Sequence, residues 1–199
     1  MNTTYRRYID TCSKMARGYR ENEFDGTNQM KGAIATKLIR EEMGNLVGVE
    51  FTVSTENSFI EGSPYEYDLL VVRKDAMPSF GNVYRPEDVI AIVECKANGL
   101  FDPERDSSTI ALAANAAYEL NPSIRFGYIS MTERMPEHEE KRNGKEPAKF
   151  WELTKAYLRR KLKMFSVLYA VTLAQGKDIL DGGSDAEFHE FVDTLASVN

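Results

Sequence analysis

Residues 89–93 read Val-Ile-Ala-Ile-Val, apolar at every position, and the next three are Glu94, Cys95 and Lys96. A short unbroken run of this kind, rich in β-branched residues, predicts a strand covered on both faces and therefore central in a sheet flanked by helices. Alternation along the strand puts Ile90, Ile92, Glu94 and Lys96 on one face and Val89, Ala91, Val93 and Cys95 on the other. So apolar a strand ends by committing an acid and an amine to the same side, with Cys95 pointing away from them. Burying such groups is costly unless they are paired or put to use.

The segment YEYDLLVVR, residues 65–73, predicts the preceding strand, with Glu66, Asp68, Leu70 and Val72 sharing a face. If the two strands are neighbours, Asp68, Glu94 and Lys96 converge at one end of the sheet. Adjacent half-buried carboxylates repel each other, and a divalent cation supplies the missing counter-charge through hard oxygen ligands. Two acids, one lysine and a magnesium-type ion suit phosphodiester hydrolysis: the acids hold the ion, the ion polarises phosphate and acidifies a bound water, and the lysine orients that water or offsets developing charge. The simpler alternative is a turn acid at Asp68 beside an ordinary Glu94–Lys96 ion pair.

Around this pair of strands the chain reads as helix, three strands, helix, strand, then helices. A first helix is predicted over 3–22, with Tyr8, Cys12, Met15 and Tyr19 on its apolar stripe. A second runs from Asn28 to about Met43 and stops at Gly44-Asn45; its inward stripe is Met30, Ile34 and Leu38, with Glu41 close to the centre line. Residues 47–55 alternate and give the first strand. The loop over 75–88 leads into the apolar strand. An alanine-rich helix lies between Asp102-Pro103 and Asn121-Pro122, its small side chains suited to close packing on a sheet, and 124–131 is the fourth strand. A polar loop follows, then a long helix from about Ala148 to Ala174 and a short terminal helix. Trp151, Leu158, Leu162, Phe165 and Tyr169 form the apolar stripe of the long helix, a core stripe rather than a base-stacking platform.

At 199 residues and 42% hydrophobic, the chain is long enough for one proper core and short for two domains. No stretch approaches the length of a membrane span and the N-terminus lacks a secretory apolar region, so the expected location is cytoplasmic, away from membranes. Cys12 and Cys95 lack zinc-site spacing and are expected as reduced thiols, and the isolated His138 and His189 offer nothing for a histidine-based site. Catalysis must rest on carboxylates and lysine. The net charge of -6 conceals a basic segment, 141–163, where nine Lys/Arg face two Glu; that balance of +7 leaves -13 for the rest. Lys155, Arg159, Arg160, Lys161 and Lys163 lie largely off the apolar stripe, where they either form a solvated face or track nucleic-acid phosphates.

Asp68 on the second strand with Glu94-Cys95-Lys96 on the third, in an αβββαβ order, resembles the PD-(D/E)xK nuclease superfamily, the restriction-endonuclease-like and resolvase-like enzymes. The resemblance spans about 28–131. It implies an α/β fold with a mixed central sheet of about four strands flanked by helices, to which helices at 3–22 and 148–198 are added within a single domain over 1–199. It also implies a Mg2+- or Mn2+-dependent nuclease acting on DNA in a bacterial or phage defence, restriction or recombination setting. Asp68 and Glu94 would be the metal-binding acids, the Cys95 backbone carbonyl a further ligand, and Lys96 the residue acting on water or phosphate. Many resolvase-type relatives carry a fourth acid on the first core helix, in a K-G-x-x-x-E pattern; here the sequence KGAIAT places Thr36 there. Either Glu41 or Glu66 supplies the acid, or it is absent, and its absence leaves open a non-catalytic module that binds nucleic acid or protein, or an inhibitor. Cutting both strands of a duplex usually needs two sites, which makes a homodimer the expected assembly.

Overall fold

The computed structural model describes residues 3–16, 28–99, 107–134, 147–175 and 178–197. Its elements are α1 (Thr3–Ala16), α2 (Asn28–Leu46), β1 (Phe51–Val53), β2 (Ser58–Ile60), β3 (Glu66–Tyr67), β4 (Leu69–Arg73), β5 (Val83–Tyr84), a single 3-10 turn Pro86–Asp88, β6 (Val89–Gly99), α3 (Ser107–Leu120), β7 (Arg125–Arg134), α4 (Pro147–Lys161), β8 (Ser166–Ala170), β9 (Thr172–Gln175), β10 (Asp178–Asp181) and α5 (Asp185–Ala196).

The apolar run is the middle of β6, which lies between antiparallel β4 and parallel β7 in a mixed sheet ordered β1-β4-β6-β7-β9-β10, with β8 also paired to β7. Residues 89–93 are all buried, because helices cover both faces. On one face α1, α2 and α5 pack through Tyr8, Ile34, Ile39, Met43, Phe191 and Leu195 against Leu69, Val71, Val93 and Ile129. On the other, α3 and α4 pack through Ala114, Ala117, Trp151 and Leu158 against Leu70, Val72, Ile92 and Phe126. The alanines of α3 do what their size predicts and let the helix lie close to the strands. On the opposite face α5, held at its start by a reciprocal Ser184–Glu187 capping box, sits so close to β7 that a Cβ on Gly127 would lie 2.7 Å from Leu195.

The sheet has seven strands rather than the four expected, because the predicted long helix 148–174 ends at Lys161, its second half forms β8 and β9, and the segment after it adds β10. Ser166-Val-Leu-Tyr-Ala is β-branched and aromatic, and it fills the hydrogen-bonding edge that β7 would otherwise leave open. Phe165 is consequently exposed, and Tyr169 belongs to the core under α5, not to a helical stripe shared with Trp151, Leu158 and Leu162. Three smaller differences share a cause in backbone hydrogen bonding. α2 continues through Gly44 to Leu46. The strand predicted over 47–55 shortens to β1. The loop predicted over 75–88 contains β5, which joins β2 and β3 in a small separate sheet.

Alternation along β6 also has a break. Val71 pairs with Ala91 and Val72 with Val89, leaving Ile90 as the extra residue of a bulge. Ile90 therefore lies with Ala91 and Val93 and Val89 lies with Ile92, the reverse of strict alternation at those two positions. Beyond the bulge, Cys95 falls on the α2 side as expected. The first helix is described to Ala16; 17–22, the side chains of Cys12 and Met15, and His138 lie outside the described residues. Among the described residues no helix is long and apolar enough to cross a membrane.

Candidate active site

The strand predicted over 65–73 breaks at Asp68. Residues before it pair with β2 in the small sheet and residues after it pair with β6 in the large one. The break follows from local hydrogen bonding. Leu70 turns its backbone toward Ser54, whose N–H donates to the Leu70 carbonyl at 2.8 Å and whose hydroxyl accepts the Leu70 N–H at 2.9 Å. Asn57 donates its backbone N–H to the Asp68 carbonyl at 3.2 Å, adopting a left-handed φ of 60° to do so, a conformation asparagine tolerates better than most residues. With its main chain turned away from β6, Asp68 sends its carboxylate back, and Oδ2 accepts the Cys95 backbone N–H at 2.7 Å. A side chain thus caps the strand edge where a longer β4 would have offered a carbonyl.

Leu69 pairs with Val93 in the antiparallel register. Backbone groups of alternate residues point to the same edge, so the Cys95 N–H and C=O both face the end of β4 where Asp68 sits. Glu94 and Lys96 project from the other side of Cys95, on the α3/α4 face, and are ion-paired with each other. Asp68, Glu94 and Lys96 therefore meet at one end of the sheet, as the sequence predicts.

Charge in this corner is under tension. Burial pushes the Asp68 carboxyl above its ordinary pKa and the charge of Glu66 adds to this, against the Cys95 N–H and the Lys96 ammonium. Burial likewise raises Glu94, and repulsion from Asp68 raises it further, only partly offset by Lys96. For Lys96, burial pulls downward, but the two carboxylates outweigh it and hold the amine above its usual value, hence as ammonium at neutral pH. Cys95 is pushed well above the usual thiol range by burial and both acids, with a hydrogen bond to Thr36 acting the other way. It is a neutral thiol.

An open cleft of about 750 Å³ leads to this corner, lined by Asp68, Cys95, Lys96 and Asn98 on the sheet, by Glu56 and Asn57, and by the first half of α2. A second cleft, of about 800 Å³, opens at the opposite end of the sheet between Arg73, Arg125 and Phe165 and holds none of the predicted residues.

Neither Glu41 nor Glu66 joins the carboxylate pair. Glu41 does not face inward: the buried stripe of α2 runs through Ile34, Ala35, Leu38, Ile39 and Met43, Met30 is only half-buried, and Glu41 is exposed in an ion pair with Arg7 of α1, 3.1 Å away. Glu66 is exposed on β3 and reaches Asp68 only through its field. Thr36 occupies the cleft wall as a buried hydroxyl. Among the described residues no group of three or more His, Cys, Asp or Glu side chains is gathered as a metal cage. Two carboxylates and a carbonyl nevertheless fit a magnesium-type ion, which keeps several waters and takes one or two carboxylates alongside substrate phosphate.

The basic segment reaches this corner at one end only: Trp151 packs on Tyr128, which is in register with Glu94. Ser166 is in register with Phe126, whereas Ala170 and Ser130 align with Lys96; four residues of strand put the start of β8 about 13 Å further down the sheet, and Lys163 lies three residues before it. There it pairs with Glu119 at 2.6 Å. Lys155 pairs with Glu152 and lies over Trp151, and Arg160 and Lys161 lie over Tyr157. Arg159 is exposed nearby, and 141–146 lie outside the described residues. Of the cleft residues on α2, Thr36 is the position the KGAIAT motif singles out, while Gln29, Gly32 and Ala33 share its wall through their i, i+3, i+4, i+7 spacing.

No protein-family model matches this sequence, and no curated protein matches it. Among solved structures, NucC of P. aeruginosa ATCC27853 in its cAAA-bound form is similar over 98% of this chain and 86% of that one, with a TM-score of 0.58 and 9% identity. NucC of E. coli MS115-1 in its apo form aligns over 94% and 89%, with a TM-score of 0.48 and 10% identity. At such identities the likeness is one of fold.

Proposed function

We propose, from the premise that this chain has the restriction-endonuclease-like fold of the PD-(D/E)xK superfamily, that it is a Mg2+-dependent nuclease hydrolysing phosphodiester bonds in DNA. The observation that carries this reading is the nearness of the Asp68 and Glu94 carboxylates, the Lys96 ammonium and the Cys95 backbone at the end of β4, where Asp68, Cys95 and Lys96 line an open cleft. The setting we propose is bacterial or phage defence, restriction or recombination, as the superfamily resemblance implies.

Asp68 and Glu94 would hold the ion, with the Cys95 carbonyl directed to the same edge. The ion, when bound, supplies charge neutralisation for the phosphate and a more acidic water. Lys96 serves as an ammonium. Held as an ammonium by its acidic neighbours, it would orient the water or the phosphate and stabilise charge that develops on phosphate oxygens. Asp68 is kept in place by the Cys95 N–H, which fixes one carboxylate oxygen and leaves the other to coordinate.

The observation that no third acid joins the pair among the described residues favours a second reading, a nuclease-fold module that binds nucleic acid or protein without cutting. Plasmid nicking in Mg2+ or Mn2+ separates the two. Nicking by the wild type that disappears in Lys96→Ala supports the enzyme. No nicking by either, with DNA binding retained, supports the module and ends the nuclease reading.

A further inference from the structure

Gly32 lies in the interior of α2, a helix of 19 residues, one turn past its start. Glycine there costs helix stability relative to alanine, because it gives up more backbone freedom and contributes no side chain. Such a residue is ordinarily explained by something that a Cβ would strike. At Gly32 a Cβ would meet nothing among the described residues within 4 Å. The packing of the described residues therefore gives no reason for the glycine, yet the position opens onto the cleft whose other wall carries Asp68, Cys95 and Lys96. Ala33 and Thr36 continue the same low wall, and one turn further on the exposed Lys37 sits at the cleft as well.

We propose that the space beside Gly32 is kept clear to seat the sugar–phosphate backbone of the strand to be cut, with the Lys37 ammonium against one of its phosphates. The inference rests on the nuclease reading and adds to it the wall along which the substrate runs. Backbone is the part of a nucleic acid that every sequence presents, and a wall without side chains beside one cation suits a phosphate and its sugar better than a base edge.

The test uses Gly32→Ala, Gly32→Gln and, as a control, Gly44→Ala, which lies in the same helix with equally empty surroundings but away from the cleft. Thermal midpoints are measured for each, together with anisotropy of short fluorescein-labelled DNA, single-stranded and duplex, with Ca2+ in place of Mg2+. Gly32→Ala and Gly44→Ala should each raise the midpoint by about 2–4 °C. Gly32→Gln should melt no lower than wild type yet bind DNA roughly tenfold or more weakly. Gly44→Ala should bind as wild type does. The proposal is overturned if Gly32→Gln binds DNA as tightly as wild type, or if Gly32→Ala lowers the midpoint, which would give the glycine a packing role. A wild-type protein that neither binds nor cuts nucleic acid removes the nuclease reading together with this one. Wild-type binding with no loss in Gly32→Gln removes this one alone.

Discussion

The Asp68 carboxylate accepts the backbone N–H of Cys95 across 2.7 Å, so the side chain of one strand completes the hydrogen bonding of its neighbour. Two roles fall on one residue, a strand-edge cap and a metal-binding acid, and they can be pulled apart. Asn keeps an acceptor for the N–H and loses the charge; Ala loses both. Asp68→Asn should fold at least as stably as wild type without metal, and Asp68→Ala should be less stable than Asp68→Asn by about 1 kcal/mol or somewhat more, the cost of an orphaned half-buried donor. Both should lose nicking by about a hundredfold or more. Urea unfolding and plasmid nicking on the two variants are the measurements.

The direction of the carboxyl shifts sets a pH dependence. Asp68 and Glu94 have folded pKa values raised above the ordinary carboxylate range, so the native state holds these protons more tightly than the unfolded chain. Their contribution therefore favours folding as pH falls toward the ordinary carboxylate range, and it is lost as pH rises through the raised values. In metal-free protein the stability gained by Asp68→Asn should accordingly grow from acidic pH to neutrality and then level off. Urea midpoints measured as a pH series on both proteins give the difference directly; a gain that shrinks with rising pH contradicts the shift.

A bound divalent cation should reverse that penalty. Mg2+ or Mn2+ at a hundred times its dissociation constant contributes about 2.7 kcal/mol, which for a chain of this size is an upward shift of roughly 5–10 °C in the thermal midpoint. EDTA should abolish the shift, and Asp68→Asn and Glu94→Gln should not show it. Lys96→Ala should keep it, because it frees Glu94 from its ion pair.

The approach of α5 to β7 gives a prediction about stability alone. A Cβ at Gly127 would crowd Leu195 at 2.7 Å and the ring of Phe191 at 3.1 Å, both buried. Gly127→Ala should destabilise by about 1–3 kcal/mol, the usual cost of overpacking, as read from urea midpoints.

How far the sequence led depended on what each signal measures. The run at 89–93 located the central strand because full burial leaves no polar position in so short a stretch, and alternation from there placed Glu94, Cys95 and Lys96 on their proper faces. Alternation could not report the bulge at Ile90, which arises from pairing with Val71 and Val72. It also could not report the break at Asp68, which depends on Ser54 and Asn57 competing for the backbone. The apolar pattern of 162–174 fits a helix or a pair of buried strands equally well over so few residues, and only the open edge of β7 decides. Glu41 was misplaced because the stripe was drawn through Met30. Tertiary packing centred it on Ala35, Ile39 and Met43 and handed Glu41 to Arg7.

Cys95 sits between the two charged residues of its strand yet faces the opposite way, sealed beneath α2 as a neutral thiol. Oxidants and alkylating reagents that attack thiolates thus meet no nucleophile at the heart of the folded protein. Carboxymethylation at this position should be slow in the folded protein, and its rate, followed peptide by peptide, is a clock for how often the thiol comes into reach.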